Sequence, residues 1–374
     1  MTENPPVPEA RPLPRPERQA WLVLVRMAGV DHGHSERLAA VFGSADEAVT
    51  GDPAVWRRVT GTDPPAASVA RLRQWADREL DDVERLGAQL LVRGEPDYPA
   101  SLGEIAVPPP ILYVWGEVAF QPAAVAVVGP RAASPYGRRV ARGLAQELAA
   151  AGVCVVSGLA VGVDSAAHVG ALDAGGTSVA VLGCGLDVVY PSGSQPLRQR
   201  LRGAGALVSE FGLGVRPRPH HFLQRNRLIS GLSRAVVLVE TPRRSGALNT
   251  AMHAREQGRE VMVVPGSVLD GRNRGGHELL RDGAALVENG TDILTLLGMA
   301  PTPAAALPAA GGDTGLWPHL KRGPLHIDEL AAVTGRPVPE LLGALLALEL
   351  DGRIRQSPPL VFSLADAWGA NAPR

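Results

Sequence analysis

The chain has 374 residues, of which 45% are hydrophobic, 20% charged and 4% aromatic, with 43 glycines, 33 prolines and a formal net charge of −1. This is an ordinary globular composition, long enough for two or three domains and for a core without disulfide staples. No run of 18 apolar residues occurs, so no transmembrane helix is expected, and two cysteines, Cys154 and Cys184, are too few for a disulfide framework or a structural zinc site.

Residues 1–17 are Pro-rich, lack the apolar core of a signal peptide and read as a disordered arm. A reducing cytoplasm is the expected location. Apolar residues at helical spacing, punctuated by Gly29, Gly43, Gly51 and Gly61, predict a small all-helical domain over 18–91, with a longer amphipathic helix at 68–91. Its fold is expected to be of the SAM or helix-hairpin-helix kind. Residues 1–119 carry 12 arginines against 18 acids, a balance of −6, which favours protein contact over DNA backbone contact for this domain. Residues 92–118 read as an extended connector, because Pro108–Pro110 cannot sit inside a helix.

From 123 to 298 the pattern alternates. Apolar strand runs at 124–129, 153–158, 178–183, 206–210, 235–240 and 260–266 are separated by helical stretches. That rhythm predicts an α/β fold, an extended Rossmann-like, doubly wound parallel sheet. Residues 299–313 form an Ala/Pro/Gly linker. Three short helices and a strand pair, RIRQS with LVFSL, then predict a winged helix over 314–374.

Ligands of such sheets bind beyond the carboxyl ends of the strands. Gly129-Pro130-Arg131 follows the first strand; the glycine admits a ligand to the backbone and Arg131 offers a bidentate phosphate donor. Ser134 is placed to cap the next helix, whose free N–H groups favour an anion. Neither the dinucleotide fingerprint nor a Walker A loop is present. Gly158 follows the second strand. Asp164, Ser165 and His168 nearby do not make a catalytic triad, since no nucleophile elbow is present. Asp164 reads as a first-turn acid and His168 as a packed histidine. Cys184 reads as a small buried residue. Arg225, Asn226 and Arg227 stand before Leu228-Ile229-Ser230-Gly231, and two guanidiniums there need anions or carboxylates. Glu240 is the expected partner of one of them. Ser245 and Gly246 open a further helix. Several anion sites along one sheet edge suit a chain of phosphates, with Phe222, Tyr136 and Tyr190 available to stack on bases. Residues 120–298 hold 19 arginines against 13 acids, a balance of +6. His220 and His221 have no partners at ligand spacing, so no metal and no cofactor are expected.

These motifs together resemble the DprA/Smf family, the DNA-processing proteins of bacterial natural transformation. They are YPASL with PPPILYVWGE (98–117), VAVVGPRAASPYG (125–137), VVSGLAVGVDSAAH (155–168), VAVLGCGLDVVYP (179–191), RNRLISGLS (225–233), SGALNTA (245–251) and GREVMVVPG (258–266). The resemblance implies a non-enzymatic protein that binds single-stranded DNA, forms homodimers through the Rossmann-like domain, and loads the recombinase RecA past single-strand-binding protein. The family's Gly-Ser/Thr-Arg loop falls on Gly129, Pro130 and Arg131, and its Arg-Asn-Arg segment on Arg225, Asn226 and Arg227; together with the helix starts and strand ends read above, the expected DNA contacts are Gly129, Arg131, Ser134, Gly158, Arg225, Asn226, Arg227, Ser230, Gly231, Ser245 and Gly246. The sequence departs from the family pattern at Pro130, Asn249 and His277, and the stretch after Tyr190-Pro191 lacks the lysine often found there. The competing expectation is a nucleotide phosphoribohydrolase of the lysine-decarboxylase-like group, whose Pro-Gly-Gly-x-Gly-Thr-x-x-Glu motif is absent.

Overall fold

The computed structural model describes residues 12–28, 33–116, 120, 123–299, 314–350, 354–357 and 359–364. Most of the Pro-rich arm, nearly all of the linker and the last ten residues lie outside them. The chain divides into two compact units, Met1–Thr302 and Pro303–Arg374.

The first unit opens with five helices: α1 (Arg15–Ala28), α2 (His34–Phe42), α3 (Ala45–Val49), α4 (Pro53–Thr60) and α5 (Val69–Leu86). Local chemistry sets their ends. Ser44 and Asp52 accept from the backbone N–H of Glu47 and Ala54 at 3.1 and 2.8 Å, which caps α3 and α4. Gly43 and Gly61 close α2 and α4 at φ 95° and 79°, a left-handed turn that a side chain would strain. Their apolar faces, including Leu22, Leu24, Leu38, Trp56 and Leu80, pack into one core with Leu159, Leu182 and Leu207 of the following α/β region.

That region contains β1 (Gln89–Val92), α6 (Ala100–Gly103), β2 (Ile111–Gly116), β3 (Ala124–Val128), α7 (Pro135–Ala150), β4 (Cys154–Ser157), α8 (Val163–Asp173), β5 (Ser178–Val181), α9 (Gln195–Gly203), β6 (Gly205–Ser209), α10 (Pro219–Gly231), β7 (Ala235–Leu238), α11 (Gly246–Glu256), β8 (Glu260–Val263), α12 (Arg274–Arg281), β9 (Ala285–Leu286) and α13 (Gly290–Leu296). Among the described residues the sheet runs β1-β2-β6-β5-β4-β3-β7-β8-β9. From β6 to β9 every pairing is parallel. All five residues of β3 are buried, as a strand covered on both faces requires. The stretch 92–118, expected as a connector, instead contributes most of an antiparallel edge. β1 pairs with β2, and β2 pairs with β6. Pro108–Pro110 sit just before β2, where their missing N–H groups cost no ladder bond, and Arg93 N–H donates to the Pro110 carbonyl at 3.0 Å.

The strand order walks outward from β3 to β6, then returns to place β7 on the other side of β3. This reversal makes β3/β7 the topological switch point, where a crevice opens beyond the strand ends.

The second unit has a 3₁₀ turn (Thr314–Leu316), α14 (Trp317–Leu320), β10 (Leu325–His326), α15 (Ile327–Thr334), α16 (Val338–Leu350), β11 (Ile354–Ser357) and β12 (Val361–Leu364). The expected strand pair forms, with Ile354 opposite Leu364, and β10 joins its other side. Leu316, Leu330, Leu341, Leu345 and Phe362 give this winged-helix unit a core of its own.

Candidate nucleic-acid interface

A cavity of about 600 Å³ lies at the switch point. It is walled by the β3–α7 loop (Gly129, Pro130, Arg131), the start of α8, Tyr190, α10, the β7–α11 loop (Pro242, Arg244, Ser245) and the first residues of α11 (Gly246, Ala247). A smaller cavity of about 370 Å³ adjoins it and shares Arg131, Tyr190, Phe222 and Arg225. Its other walls, Leu159, Leu182 and Cys184 among them, are largely apolar.

Gly129 is required where it stands. A Cβ there would come within 2.4 Å of the Val239 carbonyl and 2.6 Å of the Val163 side chain. The exposed Arg131 extends over the Phe222 ring, 4.9 Å from its centroid. Phe222 in turn packs on Tyr190, centroids 5.3 Å apart. No carboxylate among the described residues pairs with Arg131.

Arg225 does reach the cavity, but as a clamp. Its guanidinium donates to the carbonyl oxygens of Gly158, at 2.7 Å, and Val181, tying the ends of β4 and β5 together. It is 5% exposed, and burial pulls its pKa down to about 10 against the opposing pull of Asp164. Gly158 makes the clamp possible, since a Cβ there would lie 2.4 Å from the guanidinium. The Gly158 N–H donates to Asp164, which also accepts from Ala160 N–H, at 3.2 and 3.4 Å. Asp164 therefore is the first-turn acid of α8, and burial raises its pKa despite Arg225. His168 is buried as well. The Ser178 hydroxyl donates to the Val155 carbonyl, so His168 bonds to that hydroxyl oxygen through a protonated Nδ1. Burial pushes its pKa down to about 3, which keeps the ring neutral and unsuited to proton transfer near neutral pH.

Asn226 bridges helices. Its amide donates to the Gly246 carbonyl at 3.2 Å and to Asn249 Oδ1 at 3.1 Å. The unusual Asn249 thus has a partner within the fold. Ser245 caps α11 by accepting from Ala247 N–H at 3.2 Å, and Ser245, Gly246 and Ala247 present the positive end of this 11-residue helix to the cavity.

Four expected residues are placed otherwise. Ser134 caps α7 as expected, accepting from Gly137 N–H at 3.1 Å, but its hydroxyl and its N–H both donate to Glu240. The anion at that helix end is therefore the protein's own carboxylate, and Glu240 pairs with no arginine among the described residues. Glu240 reaches Ser134 from a left-handed backbone, φ 49°. Arg227 points away from the cavity and forms a two-pronged pair with Glu210, 2.6 Å at its shorter contact, with side chains only 11% and 2% exposed. Ser230 bonds back to the carbonyls of Asn226 and Arg227 inside α10. Gly231 makes room for Leu102 and Ile105.

Sequence reasoning assigned neither Arg218 nor Arg244 to DNA; Arg244 entered it only through the Arg244-Ser245-Gly246 run that motivated the phosphoribohydrolase alternative. Both are exposed and line the large cavity, and neither pairs with a carboxylate among the described residues. The neighbouring Arg243 is taken by Glu278 at 2.6 Å. The cavity therefore combines three uncompensated guanidiniums, a buried fourth, a helix N-terminus and an aromatic pair. Asp164, its one acidic wall residue, is already bound by backbone N–H groups.

Residues 89–298 match the family described as DNA recombination-mediator protein A, and residues 291–358 match the DprA winged helix domain. The chain is 39% identical over 365 residues to a protein of Mycobacterium tuberculosis that bears the name DprA, covering 90% of this chain and 92% of that one. The X-ray structure of DNA processing protein A from Streptococcus pneumoniae superposes with a TM-score of 0.62 at 32% identity, over 74% of this chain and 97% of that one. A structure that addresses the single-stranded DNA binding mode of the Helicobacter pylori protein superposes with a TM-score of 0.51 at 30% identity, over 56% of this chain and 95% of that one. With more than half of its length matched and a relative covered almost end to end, this chain belongs to the DNA recombination-mediator protein A (DprA/Smf) family.

Proposed function

We propose that this chain binds single-stranded DNA in the switch-point cavity and delivers it to the recombinase RecA during DNA recombination or natural transformation. The observation that carries the reading is the convergence of Arg131, Arg218 and Arg244, all without carboxylate partners among the described residues, on one cavity beside the Tyr190–Phe222 pair. Guanidiniums neutralise phosphates and release counterions. The rings offer bases a stacking surface indifferent to sequence. Gly129, Ser245 and Gly246 bring backbone close to the strand. Arg225, Gly158 and Asn226 hold the walls in place. Ser134, Arg227, Ser230 and Gly231 act within the fold rather than on DNA.

In this reading residues 92–298 are the binding body, which also forms a cytoplasmic homodimer, and the protein works without chemistry of its own. The phosphoribohydrolase alternative needs a carboxylate free to act on substrate. Asp164 is held by Gly158 and Ala160, and Glu240 by Ser134.

The test is a titration of the protein and of Arg131→Ala against single- and double-stranded DNA of equal length at two salt concentrations. Preference for the single strand, weaker in the variant, with a log–log salt slope of about −0.7 per neutralised phosphate, is the expected result. Salt-insensitive binding, or none, overturns it. RecA delivery is tested separately, by the rate of RecA filament growth on DNA coated with single-strand-binding protein.

A further inference from the structure

The loop between β6 and α10 holds a second groove of about 440 Å³, lined by Gly214, Val215, Arg216, Arg218 and His221. Arg218 lines this groove and the switch-point cavity alike, so the two adjoin at this residue. Arg216 and Arg218 are both exposed, and neither has a carboxylate partner among the described residues. The loop is rigid on physical grounds. Leu213 N–H donates to the buried Glu79 at 2.7 Å, Gly214 N–H to Asp187 at 2.8 Å, and Gly185 N–H to the Val215 carbonyl at 2.9 Å. Pro217 and Pro219 alternate with the arginines, which fixes φ and leaves no N–H to compete for a ligand. The His221 ring stacks on Phe211 at 4.3 Å, and the exposed His220 ring stands edge-on to it at 4.5 Å. Two cations on a stiff segment beside exposed ring surface have the composition of a single-strand track.

We infer that the DNA strand leaving the switch-point cavity continues across Arg218 into this groove, where Arg216 neutralises a further phosphate, and that the exposed His220 beside the groove offers a base its ring. The inference rests on the proposed single-strand binding and extends it to a direction of travel. A groove that adds nucleotides acts only on strands long enough to reach it.

The full chain and an Arg216→Ala/His220→Ala variant are titrated by fluorescence anisotropy against end-labelled oligothymidylates of about 4 to 16 nucleotides, the span of comparable single-strand sites. Both substituted side chains are exposed, so the fold is expected to survive, and an unchanged thermal unfolding midpoint confirms it. The shortest oligonucleotide that the wild type binds is expected to bind the variant equally well. Longer ones are expected to bind the variant about tenfold more weakly, with the salt slope reduced by about 0.7. Equal affinity and slope at every length overturn the groove while leaving the cavity reading intact. Equal weakening at every length also overturns it, because the groove is then no extension. A wild type that binds no oligonucleotide overturns the groove and the cavity reading together.

Discussion

At the scale of single residues, the cavity wall depends on what glycines leave out and on how one buried cation is compensated. A methyl at Gly129 meets a main-chain carbonyl that cannot yield, whereas Gly246 has nothing within 4 Å of the corresponding position. Gly129→Ala is expected to cost about 1–3 kcal/mol, as overpacking does. Gly246→Ala is expected to be neutral or to stabilise by up to about 1 kcal/mol through the unfolded chain. Urea unfolding of both variants checks the contrast, and equal effects contradict it. Arg225 poses the electrostatic question. Burial raises the Asp164 carboxyl above its ordinary value, and the Arg225 charge opposes that rise. A group with a raised folded pKa loses stability as pH climbs from its unfolded value, about 3.9, to the folded one. Arg225→Leu removes the opposing charge and takes a guanidinium donor from two strand-end carbonyls, so it should cost about 3–5 kcal/mol near neutral pH. The cost should shrink in acid, where Asp164 is protonated in both states. Adding Asp164→Asn should flatten that dependence. Parallel pH profiles for the single and double variants mean that the two side chains are not coupled.

At the scale of elements, α10 divides its labour between two faces. Arg225 and Asn226 face the cavity, while Arg227 faces Glu210 on the loop after β6. Removing Arg227 takes a two-pronged guanidinium contact from a carboxylate that is 2% exposed. Arg227→Met is therefore expected to destabilise by about 3–5 kcal/mol, and Arg227→Met/Glu210→Leu to recover most of the loss. DNA affinity per folded molecule should stay unchanged in the double variant, and a tenfold weakening there restores Arg227 to the binding site. The same helix shows where sequence reading stops. The apolar runs at 124–129, 153–158 and 235–240 announced a parallel sheet because strands covered on both faces must be continuously apolar. The Arg-Asn-Arg triplet announced buried charge. Its division between cavity and ion pair depends on Glu210, 17 positions away, and on helical phase. The antiparallel edge from β1 and β2 was hidden by the prolines before Ile111, because an edge strand is recognised by its partner, here β6, some ninety residues on. Arg218 and Arg244 were not assigned to DNA for a related reason, since an arginine shows its lack of a carboxylate only in three dimensions.

At the scale of the whole molecule, charge and cores are distributed unequally between the two units. Residues 120–298 carry the +6 balance, and the cavity's uncompensated guanidiniums all belong to the first unit. Residues 299–374 carry six basic residues against seven acids. Their longest helix, α16, has Glu340 and Glu349 as its only charged residues. In a winged helix the helix at this place would have to face phosphates and base edges to read DNA, and a helix with only acidic charges repels them. The second unit also closes a core of its own around Leu330, Leu341 and Phe362. Ending the chain at Thr302 is therefore expected to leave a folded protein with single-strand affinity within about twofold of the full chain. The salt slope is the sharper measurement, because it counts the phosphates neutralised independently of how tightly they are held. An unchanged slope places every cationic contact in the first unit. A slope reduced by about 1.4 or more, the equivalent of two phosphates, assigns contacts to Lys321, Arg322 or Arg355 and makes the winged helix part of the DNA-binding surface.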